Sequence, residues 1–149
     1  MSISESNREL VTSLEKIIGI INKMGIRIEE YERGFVKLRL PKEPNINHVG
    51  TVYAGSLFSL SDYAGGILFS TCFDTTRYFP ILKETTIKFM RLATTDMTVE
   101  ASFSLEELER LEKEANQTGK ANCTKELELK DAEGNICCIA KGNFQLRKI

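Results

Sequence analysis

Residues 52–73 read VYAGSLFSLSDYAGGILFSTCF. The stretch is apolar nearly all round, with small residues interspersed. A helix apolar on every side is buried, either in a protein or in a bilayer. At about 20 residues it reaches the length of a membrane span. Its serines, its glycines Gly55, Gly65 and Gly66, and the aspartate at 62 oppose that reading. The better reading is one central helix, about residues 52–73, enclosed by a sheet. The glycines then allow close backbone approach.

The flanks supply the sheet. On the amino side, about residues 5–23 show a helical period through Leu10, Leu14, Ile17, Ile18 and Ile21, broken at Gly25. Ile26–Tyr31 and Phe35–Leu40 alternate apolar and polar residues as strands, with a turn at Arg33-Gly34. Pro41 and Pro44 end the second strand, and a polar loop runs through Asn45 and Asn47 to Gly50. On the carboxyl side, Leu82–Arg91 and Met97–Phe103 read as strands. Ser104-Leu-Glu-Glu107 is a capping box opening a surface helix with Leu105, Leu108 and Leu111, which ends near Gly119. Lys120–Lys130 and Ile136–Leu146 form a hairpin, and small Ala140 and Gly142 suit the point where a helix crosses the sheet. The expectation is one α+β domain over residues 1–149: an antiparallel sheet of about six strands wrapped around a long central helix.

Composition excludes several classes. Of 149 residues, 42% are hydrophobic and 28% charged, as in a globular protein. A net charge of -1 supplies no field for a polyanion, so no nucleic acid partner is expected, and no membrane partner either. The single histidine, His48, rules out a multi-histidine metal site and leaves a hydrolase triad only one choice. No metal and no cofactor are expected. Cys72, Cys123, Cys137 and Cys138 lack C-x-x-C spacing and read as reduced small hydrophobes. The start, MSISESNREL, has no basic region followed by an apolar core, so a cytoplasmic location is expected.

Between Glu43 and Asp74, Asp62 is the only side chain that must be ionised at neutral pH. A carboxylate inside an apolar helix needs a hydrogen-bonding partner or a chemical task as base or nucleophile. The turn Val52-Tyr53-Ala54-Gly55 opens the helix, where amide N–H groups lack intrahelical partners and favour developing negative charge. Together they are the ingredients of acyl transfer, or of proton abstraction beside a carbonyl. They lie ~12 Å apart along one helix, so one carbonyl reaches both only if a second, antiparallel copy is present.

The stretch from Asn47 through Gly55-Ser-Leu57 to Asp62 resembles the hotdog-fold acyl-CoA thioesterases of the PaaI type, and more closely the YiiD C-terminal type of thioesterase domain. The order of elements, the Gly119-Lys120-Ala121 strand and the Asp131-x-x-Gly134 hairpin resemble that fold as well. Tyr53 and Ala54 stand where the first two members of the family's His-Gly-Gly would be. The resemblance implies hydrolysis of an acyl-CoA thioester by a homodimer or homotetramer. Asp62 would activate water or attack directly, amides of Ala54 and Gly55 from the partner subunit would hold the oxyanion, and Asn47 would position the water or the carbonyl. Leu57, Phe58 and Tyr63 would line an acyl tunnel, Tyr53 would also meet substrate, and Arg77, Lys88 and Arg91 would meet the CoA phosphates.

Two other readings remain open. A hydroxyacyl-thioester dehydratase would pair His48 with Asp62, although Val49-Gly50 and Ala54-Gly55 stand in place of that family's characteristic residues. A non-catalytic acyl-CoA-binding module would not need Asp62.

Overall fold

A computed structural model describes residues 3–149. After a 3-10 turn at Glu5–Asn7 come α1 (Arg8–Lys16), α2 (Gly19–Met24), β1 (Arg27–Glu32), β2 (Phe35–Leu40) and α3 (Ala54–Ser70). They are followed by β3 (Tyr78–Phe89), β4 (Met97–Ser102), α4 (Leu105–Thr118), β5 (Lys120–Lys130) and β6 (Ile136–Lys148). The six strands form one antiparallel sheet in the order β1-β2-β4-β5-β6-β3. The sheet curls around α3, which packs on every strand from β2 to β6. This is the expected hotdog arrangement.

The helix fits because the sheet makes room for it. The ring of Phe144 on β6 lies against Gly65 of α3, where any side-chain carbon would overlap the ring. Gly142, two residues along β6, is closed off by the same ring at 2.9 Å. Around this contact Leu60, Leu68, Phe69, Val99, Leu129 and Leu146 are fully buried. Their burial is the main favourable term holding the sheet to the helix. No helix among the described residues is long and apolar enough to cross a membrane.

The expected N-terminal helix over residues 5–23 is instead interrupted. Ile18 is extended at φ -110° and ψ 110°, and α2 restarts at Gly19. Two β-branched residues followed by glycine are weak helix formers. Val11, Leu14 and Ile21 turn inward, whereas Leu10, Ile17 and Ile18 are exposed, although all three were expected on the buried stripe. Gly25, left-handed at φ 78°, ends α2.

The central helix is shorter than its apolar run, and β3 begins four residues earlier than expected, at Tyr78. Pro80 obscures that start in the sequence. It is tolerated because β3 is an edge strand that pairs only with β6. At the other edge Ile3 bridges Tyr31 of β1, whereas the outer edge of β3 has no strand beside it among the described residues.

The capping box at α4 forms in both directions: the Glu107 amide donates to the Ser104 hydroxyl, and the Ser104 amide donates to the Glu107 carboxylate. Leu108, Leu111 and Ala115 turn inward, while Leu105 stays 80% exposed outside the expected stripe. β4 and β5 pair only at Thr98–Lys130 and Val99–Leu129, and α4 packs on β5. Lys125 of β5 reaches both carboxylate oxygens of Glu107 at 3.1 Å.

Candidate active site

The loop before α3 is a closed turn built by Asn47. Its side-chain oxygen accepts from the amides of Val49 and Thr51, both at 3.0 Å, and its side-chain nitrogen donates to the Thr51 hydroxyl at 2.9 Å. Gly50 supplies the left-handed residue at φ 82°. Every one of these side-chain bonds stays within residues 47–51, so Asn47 works on its own loop. His48 and Val49 stand exposed at the tip, and no hydrogen bond or ion pair joins His48 to Asp62 among the described residues.

Tyr53 is the residue before the helix and makes no side-chain cap. The Tyr53 carbonyl accepts from the Ser56 and Leu57 amides at 3.0 and 3.1 Å. The amides of Ala54 and Gly55 have no acceptor among the described residues. Uncapped donors at a helix start leave the positive end of its dipole unneutralised. The Tyr53 ring folds over Gly55, so a side chain there would push this exposed ring aside.

Asp62 follows two turns later. It is half-buried, and burial alone pushes its carboxyl above the ordinary aspartate range, with no hydrogen-bond or ionic partner opposing the shift. It borders a narrow crevice, too tight to hold a water molecule, walled by Leu82, Thr85, Leu127, Ala140, Gly142 and Phe144. Gly55, Ser59, Asp62 and Gly66 form a half-buried stripe at three- and four-residue spacing. With exposed Ala54 and Phe58, they make the least buried side of α3, with Asp62 at its border against β3, β5 and β6.

The remaining expected residues divide. Phe58 joins that face. Leu57 and Tyr63 do not: both are buried at 4% exposure in the core of their own chain. The Tyr63 hydroxyl donates to the Leu14 carbonyl and ties α3 to α1. Burial raises its pKa far above the ordinary tyrosine value, so it stays protonated. Arg77, Lys88 and Arg91 are exposed but form no cluster within one chain. Arg77 precedes β3 and lies over the Tyr78 ring, while Lys88 and Arg91 sit at its far end, roughly 35 Å away along the strand.

Sequence reasoning missed three residues here. Thr85 lines the crevice opposite Asp62, with its hydroxyl donating to the Lys141 carbonyl at 3.2 Å. Asn45 and Ser56 are buried and joined by a 2.9 Å hydrogen bond. The available signal was a serine on the inward side of an otherwise apolar helix, with an asparagine in the loop before it.

A family model described as a domain of unknown function, DUF4442, matches residues 12–146. The chain belongs to the DUF4442 family. No curated protein matches this DUF4442 chain. It resembles PA5026 of Pseudomonas aeruginosa, a protein of unknown function described as a probable thioesterase. The two are 39% identical with a TM-score of 0.88, over 100% of this chain and 99% of that one. OLEI01261 of Chlorobaculum tepidum, of unknown function, is 21% identical with a TM-score of 0.82, over 97% and 95% of the two chains. The thioesterase HI1161 of Haemophilus influenzae is 12% identical with a TM-score of 0.73, over 99% and 93%. At those identities the last two speak for the DUF4442 fold alone.

Proposed function

We propose that the chain is a thioester hydrolase acting on acyl-CoA, working as a homodimer or as a tetramer built from such dimers. The observation that carries this reading is a single helix face holding two vacant amides, at Ala54 and Gly55, and a partly buried carboxylate without a partner, at Asp62. The resemblance to PA5026, a probable thioesterase, at 39% identity supports it. A PaaI-like or YiiD-like site with Tyr53 in place of the histidine fits the same residues.

One chain holds only half of each site in this reading. Eight residues of helix separate amide from carboxylate by ~12 Å, too far for one carbonyl to meet both. The crevice beside Asp62 has no room for a water molecule, whereas ligand pockets begin at ~300 Å³. A second chain across the less buried face of α3, antiparallel to the first, completes two equivalent sites. The open edge of β3 lies at the rim of that face. Phe89, Met90 and Leu92 remain more than half exposed at its end, and such an edge is normally covered.

In the reaction, ionised Asp62 takes a proton from water as the water oxygen bonds to the thioester carbonyl carbon. The carbonyl oxygen gains the charge and is held by the Ala54 and Gly55 amides of the partner subunit. The carbon–sulfur bond then breaks, and the departing CoA thiolate takes the proton back from Asp62. Direct attack by Asp62 through an anhydride uses the same geometry. Asn47 acts by holding its loop. The basic groups meeting CoA come from the two chains together, since Arg77 and the Lys88–Arg91 pair lie at opposite ends of β3. The four unpaired cysteines fit a reducing cytoplasm.

The test is a screen of aryl, short-chain and long-chain acyl-CoAs with detection of free thiol, run beside Asp62→Asn. Release of CoA by the parent and not by the variant supports the reading. Tight binding of a non-hydrolysable acyl-CoA with no turnover of any thioester replaces it with a binding module.

A further inference from the structure

The amino end of α3 is unusual in how it is held. A helix start is ordinarily fixed by a capping side chain that accepts one of the first amides. Tyr53 offers no such acceptor, and the amides at 54 and 55 stay vacant. The turn is fixed from outside by Asn45, which is 6% exposed and uses both ends of its side chain and its backbone.

Asn45 touches three elements. Its side-chain nitrogen donates to the Met24 carbonyl at the end of α2, at 2.8 Å, and to the Pro41 carbonyl just past β2, at 2.9 Å. Its side-chain oxygen accepts from the Ser56 hydroxyl at 2.9 Å. Its carbonyl accepts from the Tyr53 amide at 2.8 Å, and its own amide donates to the Lys42 carbonyl at 2.7 Å. Asn45 therefore grips the residue just before the vacant pair, Tyr53, and the residue just after it, Ser56. Buried polar side chains normally need their partners, and here all the partners lie at this junction.

The geometry points to Asn45, acting through Ser56, as the positioning residue that aims the Ala54 and Gly55 amides at the reacting carbonyl. It stands in for a capping side chain, which would accept from the Gly55 or the Ser56 amide. This rests on the proposed thioesterase reading for its catalytic consequence. The statement about the amides stands without it.

Asn45→Ala removes three side-chain bonds and threatens the fold, so the decisive variant is Ser56→Ala, which deletes one oxygen. Two measurements are made on the full-length protein. In the first, amide NMR of the parent and of Ser56→Ala compares the Ala54 and Gly55 resonances and their exchange rates. Both amides are expected to shift and to exchange at altered rates, while amides of the β5–β6 hairpin stay in place. Unmoved Ala54 and Gly55 amides overturn the proposal.

In the second, kcat and KM are taken on the best acyl-CoA of the screen. Ser56→Ala is expected to lose about tenfold in kcat, with KM within about twofold, because small misplacement of a positioned group costs rate more than binding. Ser56→Thr, which keeps the hydroxyl, is expected to restore most of it. Equal losses in the Ala and Thr variants, or a parent-like kcat in Ser56→Ala, contradict the proposal. A parent inactive on every thioester defeats the functional reading instead, and the NMR result then decides the proposal alone.

Discussion

The ring of Phe144 occupies the place that a side chain on Gly65 would need. The same ring forms part of the crevice wall beside Asp62. The ring that fills the space over Gly65 is thus also part of the candidate site. Gly65→Ala has to push the ring or the helix aside, and overpacking of this kind costs about 1–3 kcal/mol. Urea unfolding is expected to show a lower midpoint at unchanged slope. A midpoint equal to that of the parent contradicts the packing.

Asp62→Asn is expected to lose about 10²–10⁴-fold in turnover, the usual contribution of a positioned acid–base group. Stability moves the other way. Burial raises the folded pKa above the unfolded value, so the folded chain binds a proton more tightly. The carboxyl therefore costs least when protonated, and its penalty grows as pH rises from 3.8 through the folded pKa. Above that window the asparagine variant has no charge to bury. The Asp62→Asn variant is expected to melt no lower than the parent at neutral pH and to lose any advantage once the pH falls below 3.8. A variant that melts well below the parent at neutral pH would mean that Asp62 is a structural group.

The same shift sets the acid limb of activity. Asp62 must be ionised to take a proton, so kcat/KM should fall on acidification with a midpoint above 3.8. The limb should vanish from the residual activity of the asparagine variant. An acid limb at or below 3.8 contradicts the assignment.

The vacant amide can be removed without removing the helix. Ala54 is the first helical residue, a position where proline is well tolerated because its missing N–H has no intrahelical acceptor. Tyr53 before it is already extended at φ -62° and ψ 134°, as a residue preceding proline should be. Ala54→Pro is expected to keep the parent's circular dichroism and to lose about 10²–10³-fold in kcat, the effect of deleting one oxyanion donor. Full activity in a folded Ala54→Pro protein removes the amide from the mechanism.

What was legible in the sequence was what is encoded locally. The hairpin at Asp131–Asn135, the capping box at Ser104 and Glu107, and the lone acid at 62 each depend on residues within a few positions. A sheet wrapped around one helix followed from the order of such pieces. What was not legible depends on tertiary partners. Tyr63 follows Asp62 directly, yet its hydroxyl meets Leu14, which no helical period could reveal. Asn45 and Asn47 look alike in a polar loop, but one is buried against Met24 and Pro41 while the other closes its own turn. Arg77, Lys88 and Arg91 read as one basic group until the length of β3 separates them.

The proposed dimer would cover the open edge of β3 and the less buried side of α3. Sedimentation is expected to give a particle of at least twice 16.8 kDa at micromolar concentration. An active species at the monomer mass contradicts a site shared between chains.

Complementation of two dead variants tests that sharing most directly. Ala54→Pro keeps Asp62, and Asp62→Asn keeps the vacant amides. Each homodimer should be nearly inactive. Co-expressed with different tags, about half of the dimers are mixed, and each mixed dimer has one intact site, so total activity should recover to about a quarter of the parent's. If the mixture shows only the sum of the two inactive proteins, the amide and the carboxylate do not meet across an interface, and the shared site does not exist.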